Sequence, residues 1–341
     1  MCKSDIRKIK VAVIDTGVDV NDDEIKDNII FDRNLQIDDF ETKYKNIDDF
    51  NGHGTFCAKT ILYTCKDVLI YPIKIFNEYG KTNSSNLVKV LEKILNTDID
   101  IINISASSIN CPFENELEII CKKLYNQNKI MISSHHNEKS NKSSVPTKFN
   151  TVIGVKEIDE IHKDTEYIYN SKHEIQVYEN GKDRLLKFKD TVTHFGKNSR
   201  AAAVFSGLVS KMIIENGYKT NDIEKIINKN SVNKKEISYS PRLQNVDFDS
   251  KRNEIAQRLV KLINDKFAVR KIDLNFLKEY SLLNNFSAIG RHNAYEFLVK
   301  INEEFDINID YRYIFIYELD YLRDIVEIIY EKLLSESNNK I

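Results

Sequence analysis

The chain has 341 residues, 41% hydrophobic and 30% charged, the balance of a globular protein with a real core rather than of a disordered or fibrous one. Fifty Lys and Arg oppose 52 Asp and Glu, a net charge of −2 that argues against a nucleic-acid footprint. No run approaches the ~18 apolar residues of a membrane span and the charged N-terminus has no apolar signal region, so a cytoplasmic protein with no membrane partner is expected.

Five cysteines, Cys2, Cys57, Cys65, Cys111 and Cys121, form no CxxC and no metal spacing with histidine, which fits reduced, buried thiols. Lys8 to Ile14 make a nearly continuous apolar run that ends at Asp15-Thr16-Gly17, as a central parallel strand does. Functional groups gather at the carboxyl ends of such strands, which places Asp15 for chemistry. Asn51-Gly52-His53-Gly54-Thr55 then leads into an apolar segment, and the two glycines let backbone close in on the ring at a helix start.

Residues 67–75 read as a strand, 84–95 as an amphipathic helix and 99–105 as a buried strand, followed by a helix over 114–125 and strands over 129–133 and 151–155. Two strand-like runs, 174–178 and 185–189, come next. This alternation predicts an α/β fold with a doubly wound, mostly parallel sheet. Ser199-Arg200-Ala201-Ala202-Ala203 opens a strongly apolar run whose small residues predict a buried helix, with Ser199 in its first turn beside unpaired N–H groups.

Taken singly, Asp15 suits a turn, His53 a packed ring and Ser199 a helix cap. Taken together they are a carboxylate, a base and a nucleophile, in the chain order Asp, His, Ser of the subtilisin version of the catalytic triad. The stretches Val13-Ile14-Asp15-Thr16-Gly17 and Gly52-His53-Gly54-Thr55 resemble the aspartate and histidine motifs of the subtilases, the subtilisin-like serine proteases. The resemblance spans roughly residues 9 to 249. It implies serine endopeptidase activity, with Asn137, after the strand ending at Ser133, helping the Ser199 N–H to hold the oxyanion.

It further implies that Ser105, Ala106 and Ser107 form the edge on which a substrate strand lies, that His136 and Glu138 line the pocket, and that Val145-Pro146-Thr147 holds a cis-proline nearby. Cys57 is expected to pack beneath His53 and confer mercurial sensitivity. The serine motif departs from the family pattern: Gly-Thr-Ser-Met-Ala is replaced by Lys197-Asn198-Ser199-Arg200-Ala201, the following proline by Ala203, and a pocket-wall glycine by His136. These changes predict a selective or impaired enzyme. Residues 58–75 lack the family's calcium-carrying loop and little chain precedes Asp15, so no metal, no calcium and no cleaved pro-segment are expected.

Residues 230–250 are polar, with a turn at Ser238-Tyr239-Ser240-Pro241, and mark a boundary between a peptidase domain, 1–249, and a helical domain, 250–341. Helices are predicted over 253–267, 291–305 and 319–334, with a shorter piece at 274–283, which makes a small all-α bundle. Glu303-Glu304-Phe305-Asp306-Ile307 resembles an acyl carrier protein, but no serine stands at Gly290-Arg291-His292, where the attachment site would fall, and Ser287 is out of register. A degenerate carrier fold without phosphopantetheine is the expectation. The acidic 303–331 segment could dock a basic partner such as a maturation enzyme or only stay solvated. The expected substrate is a peptide or protein, in particular a modified, ribosomally made precursor peptide such as a bacteriocin, whose leader the enzyme removes. The alternatives are a general intracellular protease and a catalytically impaired adaptor with the subtilase fold.

Overall fold

A computed structural model describes residues 7–37, 47–138, 142–217, 222–232 and 247–338. The turn expected at Ser238-Tyr239-Ser240-Pro241 lies outside them. By its internal contacts the chain divides into two compact units, Met1–Gly181 with Gly196–Ser238, and Lys182–Phe195 with Tyr239–Ile341.

The first unit is built on a seven-stranded sheet. Its strands are β1 (Ile9–Asp15), β2 (Val68–Lys74), β3 (Ile101–Ile104), β4 (Ile130–Ser134), β5 (Ile153–Glu157), β6 (Tyr167–Tyr169) and β7 (Val177–Glu179), in the order β2-β1-β3-β4-β5-β7-β6. All neighbours are parallel except β6, which runs antiparallel to β7 at the edge. The helices are α1 (His53–Thr64), α2 (Ser84–Ile94), α3 (Glu114–Asn126), α4 (Lys197–Glu215) and α5 (Ile223–Asn230).

Central parallel strands are covered on both faces, which is why β1, β3 and β4 read as mostly apolar runs. Ala12 and Ile14 of β1 pack in one cluster with Val90 and Leu91 of α2 and Ile120 and Leu124 of α3. Strand side chains alternate between faces, and α1 and α4 pack on the other side of the sheet. A helix buried this completely needs small residues where it meets its neighbour. A β-carbon on Gly207 of α4 would lie 2.5 Å from Cβ of Thr64 in α1, so only glycine permits this crossing.

The second unit holds the hairpin β8 (Arg184–Phe188) and β9 (Thr191–Phe195) with helices α6 (Ser250–Lys266), α7 (Leu274–Glu279), α8 (Ala294–Phe305) and α9 (Leu322–Asn338). Leu259, Ile263, Phe297, Ile301, Ile325 and Ile329 form its core. The division differs from the expected 1–249 and 250–341 in two respects: the boundary falls after Ser238, and the run at 185–189 leaves the peptidase. Leu185 is buried in the helical core, Ile316 N–H donates to the Asp183 carbonyl at 2.9 Å, and Arg291 pairs with Asp183 at 3.0 Å. Among the described residues no helix is long and apolar enough to cross a membrane.

Candidate active site

Strand β1 ends at Asp15, which is 1% exposed, and α1 begins at His53. The two are pressed together because residue 54 is glycine: a β-carbon there would lie 2.1 Å from the Gly17 carbonyl oxygen and 3.0 Å from Cβ of Asp15. His53 Nδ1 lies 2.8 and 2.9 Å from the two Asp15 carboxylate oxygens, so Nδ1 carries the proton and donates it to the carboxylate. The same carboxylate accepts Thr16 N–H at 2.7 Å, which fixes its orientation. This leaves Nε2 as the ring's proton acceptor.

Residues that the sequence did not flag hold this arrangement. Asp49, buried, accepts Asn51 N–H at 2.9 Å, Gly52 N–H at 2.8 Å, Thr55 N–H at 3.0 Å and the hydroxyls of Thr55 at 2.7 Å and Thr16 at 3.0 Å. Thr16 Oγ1 accepts Gly54 N–H in turn at 3.0 Å. One carboxylate thus organises the loop that enters α1. The Asp-x-Asn-Gly spacing ahead of the histidine, a turn-forming pattern, was the available signal.

Cys57 is fully buried one turn along α1, with Sγ 3.9 Å from His53 Nδ1, 3.5 Å from Asp15 Oδ2 and 3.1 Å from Ser105 Oγ. It packs against the pair, as expected. Burial and the neighbouring Asp15 charge push its thiol up to about 11, so it is not a thiolate at neutral pH. Ser105 Oγ also accepts from the Asn103 amide at 2.8 Å, and Asn103 accepts from Ser206 of α4 at 3.0 Å. A buried polar chain therefore runs from α4 across the sheet to the side of His53.

Asp15, His53, Ser199 and Asn137 all line one cavity of about 540 Å³, together with Ser105, Ala106, Ser107, His135, His136 and Glu138. Ser199, 6% exposed, sits in the first turn of α4, which starts two residues earlier than the serine. Ala106, Ser107, Ser108 and Val145 also line a neighbouring cavity with Ile75, Leu87 and Leu117. The Val145–Pro146 bond is cis, and it is Val145 rather than Pro146 that lines that cavity among the described residues.

The departures in sequence are physical. Lys197 has φ +63°, the left-handed region where a β-carbon costs roughly 1–2 kcal/mol, and its N–H donates to the Gly181 carbonyl at 2.6 Å. His136 is held by its Nε2–H donating to the Lys142 carbonyl at 3.0 Å and by the His135 ring, 4.0 Å away between centroids. Burial and the adjacent His136 push His135 down to about 4, which keeps its ring neutral. Arg200, buried, pairs with Asp164 at 2.6 Å.

The chemistry available is that of a nucleophile, a base and an orienting carboxylate. Asp15, His53 and Cys57 are also close enough to hold a metal ion between them, the one such cluster among the described residues. Two of its members already share the proton of a histidine–carboxylate bond.

Comparison with known proteins bears on the family and the fold. The sequence profile of the subtilase family matches residues 7–253. An intracellular serine protease of Paenibacillus polymyxa is 29% identical over 194 residues, which cover 52% of this chain and 58% of that protein. The major intracellular serine protease of Bacillus subtilis (strain 168) is 26% identical over 195 residues, 52% of this chain and 60% of that protein. The match thus spans less than two thirds of these relatives' length. In fold, a solved lanthipeptide protease aligns with a TM-score of 0.53 at 19% identity, over 65% of this chain and 79% of that one. A cold adapted subtilisin-like serine proteinase aligns with a TM-score of 0.50 at 16% identity, over 65% and 81%.

Proposed function

The chain belongs to the subtilase family, and from that premise we propose that it is an intracellular serine endopeptidase working through Asp15, His53 and Ser199. The observation that carries this reading is the pair of hydrogen bonds from His53 Nδ1 to Asp15, made in the cavity that Ser199 and Asn137 also line. Ser199 Oγ attacks the scissile carbonyl as Nε2 of His53 takes its proton. Asp15 holds the ring's tautomer and stabilises the imidazolium that forms. The Asn137 amide and the Ser199 N–H receive the oxyanion, and His53 returns the proton to the leaving amine. The intracellular setting rests on the relatives, both of which are intracellular serine proteases.

The finer reading is removal of a leader from a modified, ribosomally made precursor peptide. A wall that carries His136 in place of a small residue and a strained Lys197 beside the nucleophile favour a selective cleft, and a lanthipeptide protease of this fold is in keeping with it. The helical unit is the candidate dock for a maturation partner. A degenerate carrier fold without phosphopantetheine suits it, because Ser287 is fully buried and donates its hydroxyl proton to the Leu282 carbonyl, so it presents no attachment point. Nor is calcium required.

A fluorophosphonate probe tests the enzyme reading. Wild type is expected to label and Ser199→Ala not to. Absence of labelling under reducing, calcium-free conditions would support an adaptor instead. Mass spectrometry of products from a peptide library tests selectivity: cleavage at a few related sites supports leader removal, and broad digestion of unfolded casein supports a general protease.

A further inference from the structure

Asn198 stands between Lys197 and Ser199 and is 4% exposed. Its Oδ1 accepts the Glu157 N–H at 2.8 Å, and its Nδ2 donates to the His136 carbonyl at 3.0 Å. Glu157 is the last residue of β5, and His136 immediately precedes Asn137. A single side-chain amide therefore clamps three pieces of backbone: the start of the helix that carries Ser199, the end of β5, and the loop that presents Asn137. Among the described residues the loop is also tied by His135 N–H to the Val155 carbonyl at 2.8 Å, by Ser144 Oγ to His135 Nδ1 at 3.3 Å and by His136 Nε2 to the Lys142 carbonyl at 3.0 Å, and none of these bonds reaches α4.

An oxyanion hole made by Asn137 and the Ser199 N–H takes its two donors from separate elements. Donors stabilise developing charge only when their spacing is set beforehand. We propose that Asn198 is a positioning residue that fixes the distance between the loop bearing Asn137 and the helix bearing Ser199. The proposal rests on the reading of those two groups as oxyanion donors. A hydroxyl at this position, as in the family pattern of a threonine before the serine, is a single atom and does not span both backbone partners as the planar amide does.

The test is a double-mutant cycle on kcat and KM for one cleavable peptide, with wild type, Asn137→Ala, Asn198→Ala and the double variant. Asn137→Ala is expected to lose about 10²–10³ in kcat. Asn198→Ala is expected to lose about 10- to 10²-fold in kcat with KM nearly unchanged, as small misplacements of catalytic groups do. In the Asn137→Ala background the same replacement should cost less than about threefold, since the donor it places is already gone.

A loss carried undiminished into that background would make Asn198 merely structural and overturn the proposal, as would an unchanged kcat in the single variant. If Asn198→Ala melts below the assay temperature, Asn198→Thr takes its place in the same cycle and is read in the same way. An active wild type with an additive cycle sinks this proposal alone. A wild type that neither turns over peptide nor labels at Ser199 removes the enzyme reading and this one together.

Discussion

His53 is pulled two ways: burial favours the neutral ring, and the Asp15 carboxylate outweighs it and holds the imidazole well above its ordinary value of 6.5. A general base must be neutral, so kcat/KM is expected to rise along an acidic limb centred above pH 6.5. Asp15→Asn should shift that limb downward and cost about 10⁴ in kcat; a limb that stays in place would separate the carboxylate from the titration. Stability runs in the opposite sense. The charged pair's contribution is complete below the unfolded value and is lost as pH climbs through the raised one, so activity appears where this increment of stability fades. Glu179 behaves in a related way. It is fully buried and Oε2 has no hydrogen-bond partner among the described residues, and burial holds its carboxyl well above 4.5. The native state keeps a proton that the unfolded chain releases, so stability falls as pH rises above about 4.5, and Glu179→Gln should flatten that slope in melting curves. At Lys197, glycine would remove roughly 1–2 kcal/mol of strain at the cost of a looser unfolded chain, so Lys197→Gly should melt no lower than wild type and accept a broader peptide set. Asp15 and His53 were legible because a strand end and a pair of flanking glycines are local signals. Asn198 was not, because its partners come together only once β5 and the loop after β4 are in place, whereas Asp49, bonded mostly to residues 51, 52 and 55, left only a turn pattern.

Helix α1 does more than carry His53. Its Lys59 is fully buried and its ammonium meets Asp22 at 2.7 Å and Glu24 at 2.6 Å, while the Tyr63 hydroxyl donates to Glu24 at 2.8 Å. Removing one partner of such a cluster leaves uncompensated carboxylates, so Lys59→Met is expected to destabilise by about 3–5 kcal/mol in denaturant titrations, and a loss under 1 kcal/mol would mean that water reaches those acids. Because the ammonium already supplies the positive charge there, chelators should leave the wild-type melting temperature unchanged. Elements of this kind were readable wherever a period was long enough to register: α2 with Leu87, Val90, Leu91 and Ile94 buried, and α3 with Leu117, Ile120, Cys121 and Leu124. The three-residue β6, the eight-residue α5 and the strand β9 were missed for the opposite reason. Helix α4 begins at Lys197 rather than at Ser199 because the bond from Lys197 N–H to Gly181 starts the turn two residues early.

At the scale of the molecule, the order of strands and helices through β5 could be read from the sequence, while the membership of the hairpin could not. Leu185 has the same apolar character in either unit, and only folding shows that it is buried with Leu259 and Phe297 in the helical core. This gives the helical unit a covalent route to the active site. Its hairpin leaves the first unit at Gly181 and returns at Gly196, three residues before Ser199, and Lys197 N–H bonded to Gly181 closes the neck. Leu185→Ala removes a buried side chain from the helical core and should cost it about 2–5 kcal/mol. If the neck transmits the loss, fluorophosphonate labelling of Ser199 in that variant will fall at the lower temperature at which the helical signal melts, ahead of wild type. Labelling that persists past this melt would show that the neck holds the start of α4 by itself, and that the helical unit serves another purpose than holding the nucleophile.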